Sequence, residues 1–358
     1  MIGVYFQTWS SQWSSNPASL DLANVAGYDI IYLAFVTPNC TYVKGSTSWG
    51  GTGLDFSSDF LVVKSAIGSL VSKGIKVVLS VGGATYPYDG FTSLNAQCIA
   101  DLARDLECTG IDIDWEPSGG ASQANQLSGI IDTFYSVGNN LTLSLASFSI
   151  GCFGYGNFVN NQPQGSNTGM NYPGIVASGN KLNWINLMSY DASPVYDPIA
   201  GFNSVRAVFN GPILIGVENA PQAWGGFEPT DNDIINWANY ASKNNGGMFV
   251  WSLQKQGTPN ITNIYNDIVN GMKGTGNVNV PVVKVPVVVP KVPPSVPAPQ
   301  PTIPDTDDSG IVAWQPGIHV VVGELVSFEG KIYTVIQSHN TQSDWPPNIV
   351  PALFSLNV

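Results

Sequence analysis

Over residues 1–255, short apolar runs alternate with longer stretches whose apolar residues return every three or four positions. No other feature narrows the choice of fold as far. The short runs read as strands. They fall at Ile2–Phe6, Ile30–Val36, Lys76–Val81, Gly110–Trp115, Leu141–Ala146, Asn183–Ser189, Ile213–Val217 and Met248–Trp251. Between them lie amphipathic helices. Phe60, Val63, Ile67 and Leu70 keep helical spacing and stop at Gly74, and Leu127, Ile130, Ile131 and Phe134 do so before Gly138. Thr230 with Asp233 three residues on predicts a capped start for a helix carrying Ile234, Trp237 and Ala241. Thr258-Pro259 predicts the opening of a last helix, ending near Gly271. Eight strands alternating with helices over about 270 residues predict an α/β fold, a (β/α)8 barrel. In such a barrel, functional residues stand at the C-terminal ends of the strands.

The fourth run is unlike the rest. In Thr109-Gly110-Ile111-Asp112-Ile113-Asp114-Trp115-Glu116 apolar and acidic residues alternate. On a strand this puts three carboxylates on one face, successive ones roughly 6–7 Å apart, and Ile, Ile and Trp on the other. A solvated edge strand would not need the apolar set. A buried structural strand would not carry three unpaired acids. Like charges this close hold at least one proton at neutral pH, and a carboxyl protonated near pH 7 can act as a general acid. Glu116 ends the strand, where barrel chemistry is expected.

Charged residues make up 11% of the 358-residue chain and the formal net charge is −12, so a nucleic-acid partner is excluded. Ten Trp and fourteen Tyr suit a neutral sugar polymer, although most aromatics are expected in the core. Cys40, Cys98, Cys108 and Cys152 match no metal-ligand spacing; bridges are open to them, but four buried thiols are preferred. No apolar run is long enough to span a membrane. Ile2-Gly3-Val4-Tyr5-Phe6 directly after Met1 reads as a strand and not as a signal peptide.

Composition changes at residues 273–309, where Val-Pro steps such as Val280-Pro281, Val285-Pro286 and Val289-Pro290 recur. Proline this dense favours extended polyproline II and predicts a semi-rigid linker. Residues 310–358 then form a small second unit, with Phe328-Glu329-Gly330-Lys331-Ile332-Tyr333 read as two strands around a tight turn. Trp314, Tyr333 and Phe354 are expected in its core, and His339 is read as structural. The expected domains are therefore 1–272, 273–309 and 310–358.

Gly110, Asp112, Asp114 and Glu116 resemble the Asp-Gly-x-Asp-x-Asp-x-Glu signature of family 18 glycoside hydrolases, the chitinases, with Thr109 in place of the first Asp. Ser80-Val81-Gly82-Gly83 is similar to that family's Ser-x-Gly-Gly, Met188-Ser189-Tyr190-Asp191 to its Met-x-Tyr-Asp, and Trp251 to the tryptophan closing its eighth strand. The likeness covers nearly all of 1–272. It implies that Glu116 is the acid/base and that Asp114 holds the substrate acetamido group. Asp112, supported by Ser80, would share protons with Asp114. Tyr190 would hydrogen-bond the acetamido carbonyl, Asp191 would contact the same sugar, and Trp251 would floor the subsite; Met188 and Gly82 belong to the same motifs. No metal or cofactor is implied. Residues 310–358 resemble chitin-binding modules of carbohydrate-binding families 5 and 12, with Trp345 as the residue lying on the polymer.

About a dozen residues separate the seventh strand from the next helix, too few for the α+β domain that some chitinases insert there. An open groove and an endo-acting, extracellular, monomeric chitinase are expected. Alternatives are an endo-β-N-acetylglucosaminidase on N-glycans, a chitin lectin on the same barrel, and a glycosidase of bacterial cell wall.

Overall fold

The computed structural model describes residues 1–9, 27–84, 88–117, 119–219, 228–253 and 261–274 of the N-terminal part. Further on it describes residues 311–315, 318–321, 323–336, 339–341, 346–348 and 353–357. The first set contains eight strands: β1 (Ile2–Gln7), β2 (Ile30–Val36), β3 (Lys76–Gly82), β4 (Gly110–Asp114), β5 (Thr142–Phe148), β6 (Trp184–Met188), β7 (Ile213–Glu218) and β8 (Gly246–Trp251). They pair in chain order into a closed barrel. Each neighbouring pair is parallel, and β1 closes the ring on β8 through Ile2↔Met248. The (β/α)8 expectation is met.

Seven helices are described between and after these strands: α1 (Phe60–Ser72), α2 (Ala96–Asp105), α3 (Gln126–Gly138), α4 (Tyr172–Ser178), α5 (Pro198–Arg206), α6 (Asp231–Lys243) and α7 (Ile261–Met272). The connection 10–26 between β1 and β2, the Thr258-Pro259 step and residues 275–310 lie outside the described residues. The start of α6 carries the expected capping box, Thr230 and Asp233 each bonding the other's backbone N–H. Residues 219–230 alone separate β7 from α6.

Strand periodicity sorts the side chains into two layers. Val4, Phe6, Ile31, Leu33, Ile111, Ile113 and Trp115 point outward into the apolar layer beneath the helices. Tyr5, Tyr32, Trp184, Leu214 and Phe249 fill the barrel. Because Ile111, Ile113 and Trp115 take the outer layer, Asp112 and Asp114 face inward and are buried. The apolar half of the alternating segment thus aims its acidic half.

In the C-terminal segment, β9 (Val312–Ala313), β11 (Leu325–Phe328), β12 (Lys331–Val335) and β14 (Phe354–Leu356) form a sheet in the order β14-β12-β11-β9. A second pair joins β10 (His319–Val320) to β13 (His339–Asn340). β11 and β12 are antiparallel, with Phe328 opposite Lys331. Glu329 and Gly330, at φ 49 and 74°, form the two-residue turn that this twist favours. Tyr333 and Phe354 are buried in a core with Val320, Val326 and Val335, and Trp314 packs against it, edge-on to Phe328 at 4.9 Å. His339 sits in β13, while Trp345 lies outside the described residues. Among the described residues no helix is long and apolar enough to cross a membrane. All four cysteines are free and buried.

Candidate active site

Asp112 occupies the middle of β4, fully buried inside the barrel. Four side chains from four other strands donate to it, two per oxygen. The Tyr5 hydroxyl and Ser80 Oγ reach Oδ2 at 2.8 and 2.9 Å. Ser144 Oγ and Asn186 Nδ2 reach Oδ1 at 2.7 and 3.1 Å. Burial pushes the Asp112 carboxyl up, and the four donors pull it back. Ser80 is where the sequence puts it, opposite Asp112 in the β3–β4 register.

Asp112 still ends above the usual carboxylate value, and nearer the barrel mouth the offset is missing. Asp114 is buried, its Oδ1 meets no donor, and its side chain hydrogen-bonds Glu116. Burial first, and then the charges of Glu116 and Asp112, hold the Asp114 carboxyl well above the usual carboxylate range. Glu116 has left the β4 ladder and is partly exposed. Burial and the nearby Asp191 raise its carboxyl to about 7, while the Asp114 hydrogen bond and the backbone N–H of Ala84 act to lower it. Both shifts favour the protonated forms, and the hydrogen bond between the two acids ties the protonation of one to that of the other.

Gly82 explains how β3 comes so close. Its φ is +106°, and a Cβ there would stand 2.1 Å from the Asp114 carbonyl oxygen. The next amide, that of Gly83, donates to the same oxygen at 2.8 Å. Gly82 therefore meets the backbone of β4 rather than open space. Thr109, where the resemblance expects an acid, lies at the start of β4 and donates its Oγ1 to the Val77 carbonyl at 3.1 Å. Its hydroxyl fastens β4 to β3 below the acid pair.

Around the mouth, Trp251 ends β8, stacked on Phe35 at 5.6 Å between ring centroids and edge-on to Tyr5 at 5.6 Å. Tyr190 follows β6 and sits edge-on to Phe249 at 5.9 Å. Burial and then the charges of Asp114, Glu116, Glu218 and Asp191 push the Tyr190 hydroxyl well up, so it remains a hydrogen-bond donor. Met188 is buried at the end of β6, and Asp191 holds a left-handed φ of 51°. Ser80, Asp112, Asp114, Glu116, Met188, Tyr190, Asp191 and Trp251 all lie on strands or at strand ends of one barrel.

Further residues of this region do not follow from the motifs. Tyr5, Ser144 and Asn186 complete the Asp112 cage, and their one sequence signal is a polar group on an inward-facing strand position. Glu218 ends β7 opposite Trp251 and is 2% exposed. An acid closing an apolar strand is the signal that marks it. Trp9, 48% exposed, also stacks on Phe35, at 6.0 Å, and extends the aromatic cluster that holds Trp251.

The sequence model of "Glycosyl hydrolases family 18" matches residues 1–208, and that of "Carbohydrate-binding module family 5/12" matches residues 313–355. A curated relative, "Chitinase A1" of Niallia circulans, is 38% identical over 52 residues, which are 14% of this chain and 7% of that protein. The chain therefore spans only a small fraction of that relative's length. Among solved structures, a GH18 chitinase from Pseudoalteromonas aurantia superposes with a TM-score of 0.58 at 18% identity, over 75% of this chain and 99% of that one. A chitinase-like agglutinin from Robinia pseudoacacia superposes with a TM-score of 0.53 at 15% identity, over 75% and 99%. At such identities the superpositions speak for the fold alone.

Proposed function

The chain belongs to family 18 of the glycosyl hydrolases, and from that premise we propose that it is an endo-acting chitinase that cleaves β-1,4-linked N-acetylglucosamine with retention of configuration. The observation that carries the reading is the hydrogen-bonded pair Asp114 and Glu116, placed at the C-terminal end of β4 above the Asp112 cage. Common retaining glycosidases pair an acid with a carboxylate nucleophile, whereas substrate-assisted enzymes of this family use the acetamido group of the sugar. Glu116 delivers its proton to the glycosidic oxygen as the acetamido oxygen attacks the anomeric carbon. Asp114 then faces the acetamido N–H and stabilises the oxazolinium charge. Tyr190 orients the carbonyl, and Trp251 supports the ring with Met188 and Asp191 beside it. Asp112, held by Tyr5, Ser80, Ser144 and Asn186, shares protons with Asp114. Glu116, now a carboxylate, takes a proton from the water that opens the oxazolinium ring.

The remaining proposals follow from this one. We read 1–272 as the catalytic barrel, 273–309 as a tether and 310–358 as the chitin-binding module that keeps the barrel on the polymer, with Trp345 as its contact. The short β7–α6 connection leaves the groove open, which suits cleavage within a chain. An insoluble polymer places the site of action outside the cell, and one barrel with one module suffices as a monomer.

Hydrolysis of chitohexaose, with product lengths and anomers resolved, tests the reading. Internal cleavage giving β-anomers first is expected. Initial α-anomers, or equal rates on the N-deacetylated hexamer, would refute the substrate-assisted route. Thr109 at the first signature position, with the likeness to an agglutinin barrel, favours a second reading as a chitin lectin. In that case the hexamer is bound and recovered intact.

A further inference from the structure

We propose that Cys40 and Cys98, free thiols in this structure, close on oxidation into a disulfide that fastens the loop after β2 to the first turn of α2, on the face of the barrel that carries the active site. Neither residue takes part in the proposed reaction. Both thiols are buried, and their sulfurs face each other at 2.8 Å across 58 residues of chain.

The surrounding contacts hold this pairing without help from the sulfurs. Asn95 caps α2 by accepting from the Cys98 amide at 3.2 Å and uses its Nδ2 to bind the Cys40 carbonyl at 2.9 Å. One side chain thus spans the two cysteine backbones. Past Cys40 the loop stays on α2: the Tyr42 hydroxyl and the Gly45 amide both donate to Asp105 Oδ2, at 2.8 and 2.7 Å, and Lys44 pairs with Asp101 at 3.4 Å. At its other end the loop returns to β2, where the Thr37 amide donates to the Thr52 carbonyl at 2.9 Å. The crosslink therefore forms between backbones that are already docked, which is the condition under which a disulfide stabilises instead of straining the fold.

Cys98 is the more accessible of the two, at 8% against 0%. A dissolved disulfide therefore reaches Cys98 first. With a small-molecule disulfide such as oxidised glutathione, the Cys98 thiolate attacks one glutathione sulfur and releases one glutathione thiolate. The Cys40 thiolate then attacks the Cys98 sulfur of the mixed disulfide and releases the second. Two protein thiols are oxidised, one glutathione disulfide is reduced to two thiols, and the two cysteine protons pass through solvent to the released glutathione thiolates.

The full chain is equilibrated in a glutathione redox buffer, alkylated in denaturant without reductant, digested and mapped by mass spectrometry. The expected product is one linked peptide pair joining Cys40 to Cys98, with Cys108 and Cys152 alkylated. Recovery of Cys40 and Cys98 both alkylated, or linked to other partners, overturns the proposal. Thermal unfolding provides the second readout. The oxidised protein should melt about 5–10 °C above the reduced one, and Cys98→Ser should melt alike in both buffers. Equal melting of the oxidised and reduced wild type would overturn the stapling role.

Discussion

At the scale of single residues, the site rests on two buried carboxyls with unlike surroundings. Asp112 has donors on both oxygens, whereas Asp114 has an undonated oxygen and hydrogen-bonds Glu116. Glu116→Gln keeps the shape and removes the acid, so kcat on chitohexaose should fall on the order of 10²–10⁴-fold while the hexamer still binds. Steady-state kinetics with calorimetric binding checks both. In the wild type the acid must carry its proton, so kcat/KM should decline as pH rises through about 7. Stability follows the same sign. A carboxyl whose folded value is raised from 4.5 to about 7 is fully tolerated below the lower value and costs stability as pH climbs through the upper one. Glu116→Gln is free of that cost. It should match the wild type near pH 4 and exceed it at pH 8 by on the order of 2 kcal/mol, allowing for screening of a partly exposed group. Urea unfolding at the two pH values decides: an equal gap at both would mean that Glu116 does not titrate upward in the fold. Ser144→Ala removes one donor from a buried carboxylate and should cost about 1.5–3 kcal/mol at pH 7, measured the same way.

At the scale of elements, β3 and β4 act as one unit because Gly82 lets their ends touch. Gly82→Ala drives a Cβ into the Asp114 carbonyl and should cost about 2–4 kcal/mol and lower activity per folded molecule, since Asp114 must shift. Gly45→Ala is the control. Its φ is +80° but nothing lies within 4 Å of the added Cβ, so about 1 kcal/mol of strain and unchanged kinetics are expected. Unfolding and chitohexaose rates of the pair separate strain from displacement. The strands were legible in the sequence because each is a short apolar run closed by turn residues. Their ends were less so. β4 stops at Asp114 and β5 runs on to Phe148, because a ladder ends where its neighbour's partners end. The acids were legible from alternation along one strand. The Asp112 cage was not, because Tyr5 and Asn186 come from strands 107 and 74 residues away. Periodicity assigns such residues a face of the sheet but not the strand they meet across the barrel.

At the scale of the whole molecule, a barrel of net negative sequence is proposed to act on a neutral solid. Coulomb attraction cannot hold a chain of charge −12 on an uncharged polymer, so retention must come from apolar and hydrogen-bonding surface. The small C-terminal sheet is suited to supply that surface, because Tyr333, Phe354 and Trp314 already fill a core of its own. Tethering then raises the concentration of barrel at the polymer without any change in its chemistry. Removal of residues 310–358 should therefore leave kcat and KM on soluble chitohexaose unaltered. Its rate on suspended chitin at low substrate should fall about tenfold or more, and the loss should shrink as chitin is added until the surface is in excess. Adsorption of the full chain should also change little between low salt and about 1 M salt, where charge pairing is screened within about 3 Å. Sedimentation of bound protein at the two salt concentrations, alongside rates on soluble and suspended substrate, tests the division of labour. A truncated chain that loses the same fraction of activity on both substrates would show that the segment supports the barrel's fold and not its hold on the polymer.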